Sequence, residues 1–387
     1  MSTTLDGVAA ARSLRDISAA EAAPSEAQRT LTPTMVDALW DSGLMTLLNA
    51  PEAGGTQPGF AELIDTWIEL AWQDGSVGWI GIANLPSSMA ASTFLPDAGF
   101  DEVFGDPARR VTVGGQFFPN GTGDAVDGGY RLSGSWNFGS GTGHSAYVAC
   151  GFFPIVDGEA SFDLDQIRVA IVPRGDIDFI DGWNVQGLRG TGSYDYAAND
   201  VFVPEARCFP LFCREPQRGT SPIFRMGLMP ATAAGHAAWA LGVSKSMLDD
   251  VTELAITKVR MSDMETLALR QTFQRNLAHF TGMWRAARAG VVETFCRVEA
   301  AVAGGDALTP TMRADMRVAA SYATEASREV AQWAHLAAGT TAIRTGSRLE
   351  RAFRDLYTGT QHAFISEKTY IDSARIWLGL DDDSPGI

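Results

Sequence analysis

The stretch GLRGTGSYDYAANDVFVPE, residues 187–205, joins a glycine-rich turn to a run patterned as β-strand. Its second half, YDYAANDVFVP, clusters aromatic and β-branched residues and stops at Pro204, as a strand does. Its first half, GLRGTG, either brings backbone amides close to a ligand or shapes a tight turn at a sheet edge. Upstream, RVTVGGQFF, GGYRLSGSWNF, SAYVACGFF and IRVAIVP have the same strand character, punctuated by Gly, Asp and Pro. At least five or six short strands therefore fit between residues 110 and 205, which predicts an antiparallel barrel or sandwich.

On both sides the pattern turns helical. In LTPTMVDALWDSGLMTLL (31–48), Thr32 is an N-cap and Pro33 fits the first helical position. Val36, Leu39, Trp40 and Gly43 follow as one stripe at helical spacing. AELIDTWIELAWQDGSVGWIGIANL continues the style to about residue 93, while residues 1 to about 28 read as a loose or marginally helical arm. Beyond residue 222 come long Ala-rich helical stretches with breaks near 262, 305 and 342, the pattern of a helical bundle. LTPTM recurs at 308–312 and repeats the cap signal at Thr309. The predicted organisation is a helical domain over 1–109, a β domain over 110–215 and a bundle over 216–387.

Composition narrows the function. The 387 residues carry a net charge of −16, which argues against binding a nucleic-acid backbone. No apolar run is long enough to span a bilayer and no basic-then-apolar leader opens the chain, so the expected setting is cytoplasmic, without membrane contact. Cys150, Cys208, Cys213 and Cys296 form no CxxC pair and read as plain thiols, with no metal site expected.

Three motifs in order carry a family resemblance: GSWNFGSG (134–141), GLRGTGSYDYAANDVFVPE (187–205) and RAFRDLYTGTQHAFI (351–365). Together the chain resembles the acyl-CoA dehydrogenase superfamily over residues 30–380, and within it the flavin-dependent, two-component (group D) monooxygenases. The resemblance implies an α+β fold: an N-terminal helical domain, a central antiparallel β-barrel and a C-terminal four-helix bundle. It also implies a homotetramer, with flavin between barrel and bundle.

A dehydrogenase of this fold needs a carboxylate base. At the common position, nine residues before Asp355, stands Gly346; at the variant position stands Thr232, and PATAAGHAAWALG (230–242) holds no acid. Without a base, proton abstraction has no acceptor. His362, seven residues beyond Asp355, is implied instead as the group facing substrate, where an imidazole titrating near neutrality takes a proton; a core or helix-surface histidine is the other reading.

The resemblance places Phe138 against the isoalloxazine and Ser140 at the flavin N5 region, with Gly139 and Gly141 thinning the strand for the ring; a plain hairpin bulge is the alternative. It carries Arg189, Thr191 and Ser193 over as cofactor contacts, and Arg260, seventeen residues before Leu277, as a flavin-phosphate contact; with Asp263 in place of the family's Phe-Gly, a surface arginine is the other reading of Arg260. His144 is expected to line the substrate cavity or lie in solvent. Some members of the family have a further pocket histidine from the N-terminal domain; none precedes His144 here, so that role is vacant or passes to a residue such as Asn84 or Ser87. His236, His279 and His335 are read as packing or capping residues.

The reaction implied is hydroxylation of a small aromatic compound (phenol, indole or polycyclic), with O2 and reduced flavin, FMNH2 or FADH2, acting through a C4a-hydroperoxide. No GxGxxG follows a strand and opens a helix, which fits a separate NAD(P)H-flavin reductase. An acyl-CoA dehydrogenase or oxidase with a displaced base, and a non-catalytic relative, remain alternatives.

Overall fold

Thr32 and Thr309 cap the helices their sequences mark: each Oγ1 accepts the N–H three residues on, from Met35 and Met312 at 3.2 Å. The computed structural model describes residues 5–180, 182–259 and 264–384. Helices come first: α1 (Gly7–Ser13), α2 (Arg15–Gln28), α3 (Pro33–Asp41), α4 (Phe60–Gln73), α5 (Gly75–Phe94) and α6 (Asp97–Phe104). One sheet follows: β1 (Val113–Val126), β2 (Gly129–Gly139), β3 (Tyr147–Val156), β4 (Glu159–Ala160), β5 (Arg168–Pro173), β6 (Asp178–Ile180), β7 (Tyr194–Pro204) and β8 (Cys208–Pro210). The chain then returns to helix: α7 (Pro222–Met226), α8 (Leu228–Thr257), α9 (Gln271–Ala303), α10 (Pro310–Ala338), α11 (Arg348–Gly359) and α12 (Glu367–Trp377). Among the described residues no helix is long and apolar enough to cross a membrane, and all four cysteines are free thiols.

The arm expected to be loose or marginally helical is two packed helices. Arg15 makes a bidentate pair with Glu69 of α4 at 2.7 and 2.9 Å, Gln73 donates to Ala11 O, and Ala11 and Leu14 enter the core. The inner face of α2 is made of small residues, Ser18, Ala22 and Ser25, which are buried, while Ala19, Ala20, Ala23 and Ala27 face outward.

The sheet runs β6-β7-β2-β1-β3-β5-β8, with β4 on β3. Leu132, Trp136, Val148, Phe152, Ala170 and Tyr196, from β2, β3, β5 and β7, share one core, so the sheet curls around it. Its ladders are antiparallel, as expected, except that β1 and β3 are parallel, with Val113 opposite Tyr147. The reason is local: after the Asp127–Gly128 hairpin, residues 140–146 carry the chain across the end of β1, and β3 enters on its far side. That crossing segment begins with the last two residues of GSWNFGSG, Ser140 and Gly141.

Small residues bring α4, α5 and α8 together. A Cβ on Gly78 would strike Ala71 Cα at 2.5 Å, one on Gly242 would strike Ile68 O at 2.5 Å, and one on Gly235 would strike Ile82 Cβ at 2.9 Å. Helix α5 is buried along nearly its whole length, as expected of a helix apolar all round. Gly359, at the end of α11, lies on the Trp239 ring, where a Cβ would meet Cη2 at 2.2 Å. That contact sets the segment after α11 against α8.

Candidate functional site

Ser140 lies where β2 ends, half-buried, and its hydroxyl begins a line of hydrogen bonds. Trp79 Nε1 on α5 donates to Ser140 Oγ at 3.0 Å; Ser140 and Ser193 share a bond at 2.7 Å, Ser193 and Thr191 one at 2.6 Å. Thr191 Oγ1 donates to Leu188 O at 2.8 Å. A hydroxyl has one proton. Thr191 gives its own to the carbonyl, so Ser193 must donate to Thr191 and Ser140 to Ser193. Ser140 therefore turns its proton inward and keeps one lone pair for a ligand. Thr191 and Ser193 are buried behind it, with their hydroxyls facing each other.

The 187–193 segment is held from behind. Asp355, buried on α11, accepts the Leu188 N–H at 2.6 Å, and Trp183 Nε1 donates to Leu188 O at 3.0 Å. Burial, then the nearby Asp74 carboxylate, push Asp355 up to about 8. A Cβ on Gly187 would fall 2.1 Å from Arg354 O. Arg354 pairs with Glu350 and Glu26 and donates to Gln186 O, tying α11 to α2 and this segment. Arg189 is half-exposed 3.9 Å from Glu26, with its Nε buried and unbonded.

Around Trp79 the structure gathers residues from three helical segments. The Trp79 ring meets His236 edge-on at 5.2 Å, Trp239 at 4.9 Å and His362 at 5.9 Å between centroids. His236 and His362 lie 4.4 Å apart, and Phe364 stacks on His236 at 5.8 Å beneath the Arg317 guanidinium. His362 Nδ1 accepts the Phe364 N–H at 3.2 Å. A neutral imidazole whose Nδ1 accepts carries its proton on Nε2. Burial, then Arg317, push His362 down to about 4, so it is neutral at physiological pH. His362 thus presents an N–H donor at Nε2. This revises the proton-acceptor role expected for it.

The other expected positions separate. Phe138 has a left-handed backbone (φ 62°), its N–H on Asp195 Oδ1 at 3.1 Å and its ring 61 % exposed. The glycines beside it answer to protein atoms: a Cβ on Gly139 would meet Tyr196 at 2.7 Å, and one on Gly141 would meet Asn84 Oδ1 at 2.2 Å. Asn84 is fully buried and donates to Val113 O and Ser145 Oγ, so it stitches α5 to the sheet. Its Oδ1 takes the remaining contact, His144 Nε2 at 3.2 Å, which makes Nε2 the protonated nitrogen and leaves Nδ1 buried and unpartnered. Burial, then Arg174, push His144 down to about 4. Ser87 donates to Ala83 O of its own helix at 2.7 Å. The N-terminal contribution beside Ser140 is Trp79, in place of Asn84 or Ser87. Arg260 lies outside the described residues. Gly346 faces open space, and Thr232 donates to Leu228 O at 3.1 Å.

Trp79 and His236 were missed because helical periodicity assigns both to apolar faces. Among the described residues no cluster of three or more His, Cys, Asp or Glu could hold a metal.

Comparison with known proteins agrees with this architecture. Residues 234–367 match the acyl-CoA dehydrogenase C-terminal domain family. The chain is 28% identical over 356 residues to indole-3-acetate monooxygenase of Pseudomonas putida, covering 91% of this chain and 88% of that protein. It is 28% identical to the flavin-dependent monooxygenase oxygenase subunit HsaA of Mycobacterium tuberculosis, covering 92% and 91%. The structure of XiaF from Streptomyces, in complex with FADH2 and glycerol, superposes with a TM-score of 0.91 at 26% identity, covering 98% and 97%.

Proposed function

We propose that this chain, a member of the acyl-CoA dehydrogenase superfamily in its flavin-dependent monooxygenase branch, is the oxygenase component of a two-component enzyme that hydroxylates a small aromatic substrate. The observation that carries the reading is Ser140: a half-buried hydroxyl with its proton committed inward, one indole away from two histidines, in a fold whose two base positions hold Gly346 and Thr232.

The residues fit a flavin. An exposed aromatic ring on left-handed backbone at Phe138, an unfilled acceptor at Ser140 and a buried, unbonded Nε at Arg189 are the flat surface, polar contact and cationic contact such a cofactor needs. Reduced flavin, FMNH2 or FADH2, when bound would supply the two electrons that activate O2, and O2 would supply the oxygen atom transferred. Ser140, whose own proton is committed to Ser193, would accept the N5–H that only the reduced form carries. Trp79 keeps Ser140 in place and walls the substrate side. His362 donates from Nε2 to an electron-rich atom of the substrate. The electrons come from a separate NAD(P)H-flavin reductase, supported by the oxygenase-subunit name of the relative from M. tuberculosis.

A homotetramer in the cytoplasm is part of the same reading. Exposed apolar side chains on the C-terminal helical region, among them Tyr322, Leu336, Ile343 and Trp377, support burial between copies. The test supplies chemically reduced FMN or FAD with O2 and phenol or indole, without nicotinamide. The expected outcome is a hydroxylated product and no reduction of flavin by acyl-CoA; flavin reduction by acyl-CoA with no hydroxylation would refute the reading.

A further inference from the structure

Two imidazoles 4.4 Å apart have different hydrogen-bonding obligations. His362 is fixed by the Phe364 N–H as the Nε2–H tautomer, and its Nε2 has no protein partner among the described residues. His236, 5% exposed, makes no hydrogen bond at either nitrogen among the described residues, and neither nitrogen is sealed from the accessible space beside it. Buried polar groups are as a rule hydrogen-bonded, so an imidazole left this way marks a place for a ligand. Its position is well determined: Gly235 seats α8 on Ile82 of α5, Trp79 meets the ring edge-on and Phe364 stacks on its face. One to two turns toward the start of α8, Met229, Pro230 and Ala233 line a small open crevice with Arg313, Met316 and Arg317.

We propose that His236 binds substrate: it accepts the hydrogen bond of a phenolic hydroxyl whose oxygen accepts one from His362 Nε2–H. Resting on the monooxygenase reading above, this gives the substrate class as phenols. A hydroxyl is the one small group that both donates and accepts. Two nitrogens each about 2.8 Å from one oxygen stand up to about 5 Å apart, and the centroids of these two rings are 4.4 Å apart. An indole N–H would satisfy His236 and leave His362 unpaired; an aryl methyl ether would satisfy His362 and leave His236 unpaired. Sites built to hydrogen-bond a hydroxyl reject analogues that lack it, because the buried partner is stranded.

The five histidines make the test direct. Protein labelled with [15N]histidine is titrated, without flavin, with phenol, methoxybenzene and indole. Phenol is expected to move the unprotonated ring nitrogen of His236, assigned by its loss in His236→Phe, and to bind about tenfold or more tighter than methoxybenzene. His236→Phe should bring that ratio near one and raise KM for a phenol by a similar factor in the flavin-supplied enzyme. His236→Gln, which restores an acceptor, should recover part of both. Unmoved His236 resonances, or a ratio and KM unchanged in His236→Phe, would overturn the proposal. So would a folded His236→Gln no better than His236→Phe. Enzyme that hydroxylates no aromatic compound, while phenol still moves His236, would refute the monooxygenase reading and leave this one standing.

Discussion

Because Ser140 gives its proton to Ser193, what the site offers a ligand depends on a residue no ligand touches. Replacing Ser193 with Ala frees that proton to turn outward, toward the bare N5 of oxidised flavin. The preference for reduced over oxidised flavin should fall by about five- to tenfold, the worth of one hydrogen bond, in anaerobic and aerobic binding titrations. An unchanged ratio would show that the hydroxyl line does not set the polarity of Ser140. His362 makes a second prediction. Its folded pKa of about 4 lies below the ordinary histidine value near 6.5, so the ring stays neutral as pH falls through 6.5. The kcat/KM profile should lack an acid limb near 6.5; such a limb, abolished by His362→Gln, would contradict the neutral state that burial imposes on the ring.

At the level of elements, α11 clamps the segment that carries Thr191 and Ser193, through Asp355 and the Leu188 N–H. The folded pKa of Asp355, about 8, lies above the unfolded value near 3.9, so the folded chain holds a proton that the unfolded chain releases. Its contribution is therefore fully present below about pH 4 and lost as pH rises toward 8. Asp355→Asn keeps the acceptor and removes the ionisation. Its melting temperature should match or exceed that of the unaltered protein at pH 8, with a flatter dependence between pH 5 and 8. A large loss of stability at pH 5 would mean that the carboxyl group itself is required.

Much at this scale was readable from residues. Caps at Thr32 and Thr309 have a local chemistry, and the strand runs have a local pattern. The parallel pairing of β1 and β3 did not, because it depends on where a seven-residue crossing segment lays the chain. Nor did the roles of Trp79 and His236, which are set by glycines on other helices letting α5, α8 and α11 approach. The glycines of 134–141 were visible as an anomaly, but their cause lies at a distance: Tyr196 from β7 and Asn84 from α5 occupy the space. Ser140, His362 and the 187–193 segment were recognisable because their spacing belongs to a family pattern; the direction of their hydrogen bonds needed coordinates.

For the whole molecule, helices on either side of one curled sheet place the end of β2 between two helical regions, and residues from all three parts meet at Trp79, Ser140 and His362. A cofactor supplied in reduced form suits this layout, since the site has hydroxyl, imidazole and aromatic groups but no carboxylate at either dehydrogenase position. The central claim is oxygen transfer, and its most direct test is a single turnover with reduced flavin, a phenol and ¹⁸O2, followed by mass spectrometry of the product. The account predicts one ¹⁸O atom in each hydroxylated product and none from labelled water. Product oxygen derived from water, or reduced flavin oxidised by O2 with the phenol unchanged, would contradict it.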